Sequence, residues 1–490
     1  MTGTFGSLNI AKTGLQYQQI VIDTTNNNIS NVNTDGYVRR RAEGAEVGGA
    51  TTGAMWSTYT GHGEGVTTTS VSRLTDFLMD ARVRNEHANL SYLQVQQTSM
   101  ERVETAINEP SDTGIASALS AFGSAWQDVV SSPDGSAARQ SVIASGQTLA
   151  AAINAQARAV DDERAQQRAA AVDDVSQINN DAQQLAQLNH NIFIAQANGT
   201  DVSDLQDQRD QLALDLANKA GAVVAQDSTG RYNISINGVA LVTGDNAGTM
   251  TVNGINADGT PSNGDTANPG TVSFSISDPV PVGATPSTNQ TAVPNGMGGE
   301  LGGIATLLNV TLANYRAGLN DVAQQLADMV NTQHEAGYDQ SGAAGGKFFD
   351  YTAGDPAGTI SVLVTDPSKV AASSDGSGQS NNADNADTIT QVLNGAVGAG
   401  NPPGTPVNIN DAYQRLVTGL GSTVAGLNTQ TTNQQLLANQ VDDEREQQAG
   451  VSLDEETINL MQAQRAYEAS SRVLTVMNSL LDTLINRMGA

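Results

Sequence analysis

Residues Asp23–Arg41 read DTTNNNISNVNTDGYVRRR, and the reading of this stretch decides the fold. Asn and Thr are mediocre helix formers because their short polar side chains compete for backbone hydrogen bonds. Yet Leu8, Leu15, Ile22 and Ile29 recur every seven residues into the polar cluster, with Ala11, Gln18, Thr25 and Val32 as a second row. Three readings stand side by side. The stretch is a loop, or Asn28–Ser30 (NIS) is a glycosylation acceptor, or a helix presents a polar face that has something to hold.

The opposite end carries the same period. Leu453, Leu460, Tyr467, Leu474, Leu481 and Met488 stand seven residues apart, and Ala463, Ser470, Met477 and Leu484 fill the other seam position. A sustained heptad is the signal of a helix packed along another helix. From Leu453 to Met488 it would run roughly 54 Å. Small Ala463 and Ser470 would let the partner approach closely. Two heptad helices at opposite ends predict that the termini meet.

The middle adds helices with apolar stripes. Leu93, Met100 and Ile107 mark one, and Ile115, Leu119, Phe122 and Trp126 mark a second that stops before SSPDGS. A run over 136–197 carries Ile178, Leu185 and Ile192; another carries Leu205, Leu212 and Leu216 and stops at Gly221. Leu308, Tyr315, Val322 and Met329, interleaved with Leu312, Leu319 and Leu326, mark a helix ending near Gly337. Between Val223 and about Val293 the period becomes two: Ile234, Ile236, Val239 and Leu241 flank an Asn237–Gly238 turn, and Thr271–Ser277 (TVSFSIS) repeats the alternation. The predicted fold is mainly α with β insertions. Residues 1–40 and 450–490 form a coiled-coil-like terminal helical domain, and 41–85 an irregular or β connector with a strand at GVTTTSV. Residues 86–222, 300–340 and 385–449 form a long helical bundle. An all-β domain is inserted at 223–299, and 341–384 is a small β/loop unit with a strand in TISVLVTDP (359–367).

Composition narrows the chemistry. At 490 residues with a net charge of -28, the chain lacks the cationic surface that neutralises phosphates, so nucleic acid is excluded as a partner. There is no cysteine, hence no disulfide or thiolate site. No apolar run is long enough to span a bilayer, and MTGTFGSLNIAKTG lacks the features of a cleaved signal. The expectation is therefore a cytoplasmic chain, or one exported without a cleaved signal. His62, His87, His190 and His334 are scattered and lack zinc-site company. GGKFFD fails the phosphate-loop pattern at Ser341 and Phe348, and NADG at Asn256 fails the calcium-loop pattern at Gly254. Asp454–Glu456 (DEE) opens the last helix, where acids meet the positive end of the dipole, and is read as a cap. VDDERAQQ at Val160 and VDDEREQQ at Val441 are read as solvated helix faces with i,i+3 pairs. No catalytic set, metal site or cofactor site is assembled.

NISNVNTDGY (28–37) resembles the N-terminal signature of the axial proteins of the bacterial flagellum: rod, hook and hook-associated proteins. SLNIAKTGLQYQQIVIDTTNN (7–27) is similar to their first helix, and GVSLDEETINLMQAQRAYEASSRVLTVMNSLLDTLI (450–485) resembles their last. Within the middle, LSAFGSAWQDVVSSPDGSAARQSVI (119–143), LQDQRDQLALDLANKAGAVV (205–224), PNGMGGELGGIATLL (294–308) and the segment ending HEAGYD (334–339) resemble the hook-associated protein 1 family, that of the first hook–filament junction protein. The β insert and the Ser/Asn/Asp-rich segment Ala371–Asp387, read as loop, match poorly. Val38 stands where the family commonly has Ser, which removes a side-chain cap, and Ser30 where Ala is common.

The resemblance implies a structural adaptor and no enzyme. Its subunits would leave through the flagellar type III apparatus, which passes unfolded chains, in keeping with the absent cysteine and signal. They would form a homo-oligomeric ring in the extracellular flagellum, joining the hook protein to the second junction protein and the filament. The implied assembly residues are Leu8, Leu15, Ile22, Asn28, Ile29, Asn31, Asn33, Gly36, Tyr37, Leu460, Tyr467, Leu474, Met477, Leu481 and Leu484. A cytoplasmic export chaperone would take Leu460, Tyr467, Leu474 and Leu481. The rivals are another axial protein, hook or distal rod, and a secreted adhesin or enzyme on the β insert; the helical middle argues against a β-rich hook body. The opening stretch then reads as a helix ending near Asp35–Gly36, with Asn26, Asn27, Asn28, Asn31 and Asn33 offering amides to neighbouring subunits. Export that bypasses a cleaved signal disfavours the glycosylation reading.

Overall fold

The two chain ends lie side by side as long helices, and a helical body with several small sheets fills the space between them in sequence. The computed structural model describes residues 4–34, 36–47, 63–265, 269–377, 381–395 and 408–487, with side chains from 6 to 483 in the terminal helices. Helix α1 (Thr4–Ser30) leads into the antiparallel hairpin β1 (Arg40–Glu46) and β2 (Val66–Arg73). The body begins with α2 (Phe77–Ile107), α3 (Ile115–Ser131), α4 (Ser136–Ala197) and α5 (Ser203–Ala220). Asp76 caps α2 by accepting from the N–H groups of Leu78 and Met79. Gly221 ends α5 at φ 62°, a left-handed conformation that suits glycine. Helix α4 alone is 62 residues long, about 93 Å at the usual rise.

Eight antiparallel strands follow: β3 (Ala222–Gln226), β4 (Tyr232–Ile236), β5 (Val239–Thr243), β6 (Asn246–Ala247), β7 (Met250–Asn253), β8 (Ser273–Ser277), β9 (Val280–Pro281) and β10 (Gln290–Ala292). They form a five-stranded sheet in the order β3-β4-β5-β6-β9 and a three-stranded one in the order β10-β8-β7. Asn237 and Gly238 both take positive φ, 46° and 86°, as the two-residue turn between β4 and β5 requires. The chain returns to helix at α6 (Gly299–Thr306), continues through a π-helical turn (Leu307–Thr311) into α7 (Leu312–Ala336), and then forms β11 (Phe349–Asp350), α8 (Pro356–Thr359), β12 (Ser361–Val362) and α9 (Asp384–Leu393). Of the strand expected in TISVLVTDP only Ser361–Val362 pairs, against Phe349–Asp350. Val364 turns into the body core instead, because so short a ladder has no second sheet to cover it. Helices α10 (Ile409–Ala449) and α11 (Leu453–Arg487) close the chain.

Three apolar clusters organise the body along α4. One packs Phe122 and Trp126 of α3 with Ile143, Leu149 and Ile153 of α4, Leu319 and Leu326 of α7, and Phe348 and Phe349. A central one joins Met100 and Val103 of α2, Val160 of α4, Tyr315 of α7, and Leu420 and Val424 of α10. The third sets Ile178 and Leu185 of α4 and Leu216 of α5 against Ile234, Ile236, Leu241, Phe274 and Ile276 of the sheets. The strands expected as a separate inserted domain therefore share one core with α4, α5 and α6. Short strands with one apolar face cannot bury it alone and need a helix to cover it.

Local devices set this packing. In the π turn, Asn309 is aimed at the chain before β8, where it accepts from Val272 N–H (2.7 Å) and donates to Val272 O (2.8 Å). The glycines of MGGELGG let α6 lie directly on α2: a Cβ on Gly303 would come within 2.3 Å of Val95 Cγ1 and 2.7 Å of Tyr92 O. The VDDER segments are not solvated faces. Val160 and Val441 are buried; Asp161 pairs with Arg164 (3.3 Å) but also with Arg316 (3.2 Å), while Arg445 turns away from Asp442 to Asp80 (2.8 Å) and Asp442 meets His87 (2.9 Å). Both repeats lie where long helices cross, so their charges pair between helices, and in the first repeat along the helix as well.

His334 is fully buried against Trp126 and Phe348. Its Nδ1 lies 2.6 Å from Gly346 O and its Nε2 accepts from Ala371 N–H at 2.9 Å, which requires the neutral ring with the proton on Nδ1. Burial holds its pKa below the ordinary histidine value, against the raising effect of the Gly346 carbonyl. The unfolded chain thus takes up this proton first. Stability from this site is complete above pH about 6.5 and declines as pH falls from there toward the lower folded value. Urea unfolding of the wild type should lose stability between pH 7 and 5 more steeply than His334→Gln, and parallel profiles would remove His334 from the account.

Candidate assembly interface

The terminal pair is built around small residues. Ala11 and Thr25 of α1 and Ala463 of α11 are buried, and a Cβ placed on Gly14 would sit 3.5 Å from Ser470 Oγ. Small side chains draw the two helices together, and the larger ones are displaced to the flanks. Leu8, Leu15, Ile22 and Ile29 are half-buried there, as are Leu460, Leu474, Met477 and Leu481. Tyr467 and Leu453, expected in the seam, are exposed at 40% and 49%. The deepest row on α11 starts at buried Glu456 and runs through Ala463, so Leu453 and Tyr467 are exposed while Leu460, Leu474 and Leu481 of their row keep partial cover. The side chain of Leu484 and residue Met488 lie outside the described residues. On the far side of α11, Ile458, Met461, Val473, Val476 and Leu480 are exposed.

One side chain ties this pair to the hairpin. Asn28 is 1% exposed and its amide is fully used. Nδ2 donates to Arg40 O and to Glu456 Oε2, both at 2.9 Å, while Oδ1 accepts from Tyr37 O–H (2.8 Å) and Arg40 N–H (3.0 Å). Glu456 is 2% exposed and takes Arg39 as its cation, at 2.9 Å from Nε and 2.7 Å from Nη2. Arg39 also reaches Glu455 at 2.8 Å. The acidic cluster read as a helix cap is therefore mainly a docking device. Its position in the first turn still suits the dipole, but a buried carboxylate needs a specific partner, and Asn28 and Arg39 supply it.

The polar stretch is corrected accordingly. Helix α1 ends at Ser30, before the expected Asp35–Gly36, because the chain folds back so that Tyr37 and Arg40 can reach Asn28. Asn31 closes the turn locally: its N–H and its Nδ2 donate to Asn27 O, at 3.1 Å and 2.9 Å, and its Oδ1 accepts from Thr34 Oγ1 (3.1 Å). Gly36 has φ 77°, where a Cβ would be strained. Asn28 and Tyr37 thus serve the subunit's own fold, while Asn26, Asn27 and Asn33 stay exposed.

The arginine run continues the connection. Arg40 bridges to Asp204 and Asp207 (2.9 Å) of α5, and Arg73 of β2 meets Asp207 (2.7 Å) and Asp210 (2.6 Å). Burial raises the Asp207 carboxyl above its ordinary range, opposed by the pull of Arg73 and Arg40. Successive arginines thus hold the hairpin to α11 on one side and α5 on the other. Sequence reasoning missed Glu456, Arg39, Arg40 and Arg73 as site residues; arginines in tandem, in a chain with 23 cations against 51 acids, were the available signal. Among the described residues no group of three or more His, Asp or Glu could hold a metal, and no helix is long and apolar enough to cross a membrane. His190 pairs with Asp245 (3.1 Å), and His62 lies outside the described residues.

Comparison with known proteins agrees with this architecture. Residues 100–349 match the flagellar hook-associated protein FlgK helical domain, residues 8–37 the flagella basal body rod protein family, and residues 445–488 the C-terminal family of the flagellar basal body rod FlgEFG proteins. The chain is 28% identical over 515 residues to flagellar hook-associated protein 1 of Bacillus subtilis (strain 168), covering 100% of this chain and 99% of that one. It is 27% identical to flagellar hook-associated protein 1 of Escherichia coli (strain K12), covering 98% and 99%. The solved flagellar hook junction protein FlgK of Burkholderia pseudomallei superposes with a TM-score of 0.65 at 16% identity, over 75% of this chain and 99% of that chain. With the helical domain matched over half its length and the rod-type ends paired as in the structure, the chain belongs to the flagellar hook-associated protein 1 (FlgK) family.

Proposed function

We propose that this chain is a structural adaptor that joins the flagellar hook to the filament, exported as an unfolded chain and assembled outside the cell through its terminal helices. The observation that carries the reading is the α1–α11 pair: small residues close it, a buried Asn28–Glu456–Arg39 node docks it, and its leucines and isoleucines remain half-exposed on the flanks. Burying those flanks against neighbours in a homo-oligomeric ring would stabilise the assembly by up to about 1.5–3 kcal/mol for each side chain fully covered. Leu8, Leu15, Ile22, Ile29, Leu460, Leu474, Met477 and Leu481 are the assembly residues of this reading, with exposed Tyr467 beside them and Leu484 assigned from the seven-residue spacing alone. The hook protein and the second junction protein are its neighbours along the axis. A cytoplasmic chaperone would grip Leu460, Tyr467, Leu474 and Leu481 before export, when α11 is not docked on α1 and the row is accessible.

A strain deleted for this chain should build intact hooks, lack filaments and shed filament protein into the medium. Missing hooks in that strain would favour a hook or rod role and overturn the junction reading.

A further inference from the structure

A cleft of about 920 Å³ opens between the end of α1 and the α4–α5 hairpin. Its walls carry Asn27, Asn31, Gln184, Gln187, Gln208 and Gln211 above half-buried Leu188 and Leu212, and its charged groups, Arg40 with Asp204 and Asp207, are paired with one another. Gln187 reaches Asn191 (3.0 Å) and Gln211 reaches Asp215 (3.4 Å), while among the described residues the side-chain amides of Asn27, Gln184 and Gln208 make no hydrogen bond. A carboxamide offers both donors and acceptors without charge, so such a wall fits a neutral, amide-rich protein surface.

This chain has one such surface on its first helix. Asn9, Lys12, Gln16, Gln19, Asp23, Asn26 and Ser30 are all exposed, at the three- and four-residue steps of a single helical stripe, and Lys12 and Asp23 cancel in charge. In a chain of net charge -28, copies repel one another except where such balanced surfaces meet. We propose that the cleft receives the outer stripe of α1 from a second copy of the chain. Cleft and stripe are different surfaces, so the contact is head-to-tail, the kind that closes into a ring when the rotation per subunit allows. The inference rests on the reading of the chain as an assembling axial subunit and names the partner surface for it.

The absence of cysteine makes the test clean. Gln19→Cys and Gln208→Cys are placed singly and together in the full chain, and assembled junctions are treated with a short bismaleimide. The double variant should give a ladder of cross-linked multimers that is absent from both single variants. Junctions that form normally, with both cysteines reactive in the unassembled chain but no ladder, would overturn the contact while leaving the adaptor role intact. A cross-linked dimer from Gln19→Cys alone, the largest product a single thiol allows, would mean that α1 faces α1, and would also overturn it. Absence of this chain from purified junctions would instead overturn the adaptor role itself.

Discussion

Glu456→Ala should release the C-terminal helix from the hairpin and leave the helical body folded. The substitution strips Arg39 of its buried carboxylate partner and leaves one Nδ2 proton of Asn28 unpaired, in a site where Asn28 and Glu456 are 1% and 2% exposed. Removing one partner of a buried ion pair costs up to about 3–5 kcal/mol, and less here, because Arg39 keeps Glu455 at 2.8 Å. The cost is local, because the three apolar clusters of the body do not include α11. Limited proteolysis and hydrogen exchange should therefore show α11 opening, while the fluorescence of buried Trp126 stays native. Arg39→Ala on the Glu456→Ala background should add less than it does on the wild type, as expected for residues in one network. Unchanged protection of α11 in Glu456→Ala would show that the small-residue seam docks the helix without the node.

Leu474→Asp should abolish junction assembly while the isolated subunit keeps its body. Leu474 is half-buried on the flank of the α1–α11 pair, so in the monomer an introduced carboxylate keeps access to water and its cost is moderate. In a ring the same position would be covered on its remaining side, and an unpaired buried charge has no compensation there. Cells carrying the variant should lack filaments and release filament protein, while near-ultraviolet circular dichroism of the purified chain matches wild type. Normal junctions and filaments built by Leu474→Asp would show that this flank is not the assembly surface. Leu474→Ala, which removes contact area without adding charge, should fall between the two.

Much of this architecture was legible in local sequence. The heptads of Leu8–Ile29 and Leu453–Leu481 are periodic over several turns, and each turn repeats the same signal, so two long terminal helices follow from either end alone. The small residues Ala463 and Ser470 announced a close helix pair, and the alternation around Asn237–Gly238 announced a hairpin. The misreadings share a physical cause. DEE at 454–456, the VDDER segments and the asparagines after Thr25 are polar, and polarity in a linear string reads as exposure. Glu456 and Asn28 are buried nonetheless, because partners from other elements complete their hydrogen bonds, and Arg445 of the second VDDER segment crosses to Asp80 of α2.

The sequence by itself thus determined the elements, their order and the meeting of the two termini, since helical and strand periods are properties of neighbouring residues. Only the tertiary structure decided that α1 stops at Ser30, that the strands lean on α4 for their core, and which of the asparagines in NNNISNVN is the anchor. Asn28 and Glu456 are 428 residues apart in the chain and 2.9 Å apart in space. A contact of that separation leaves no trace in local pattern, because it depends on where two helices have already been placed by everything between them.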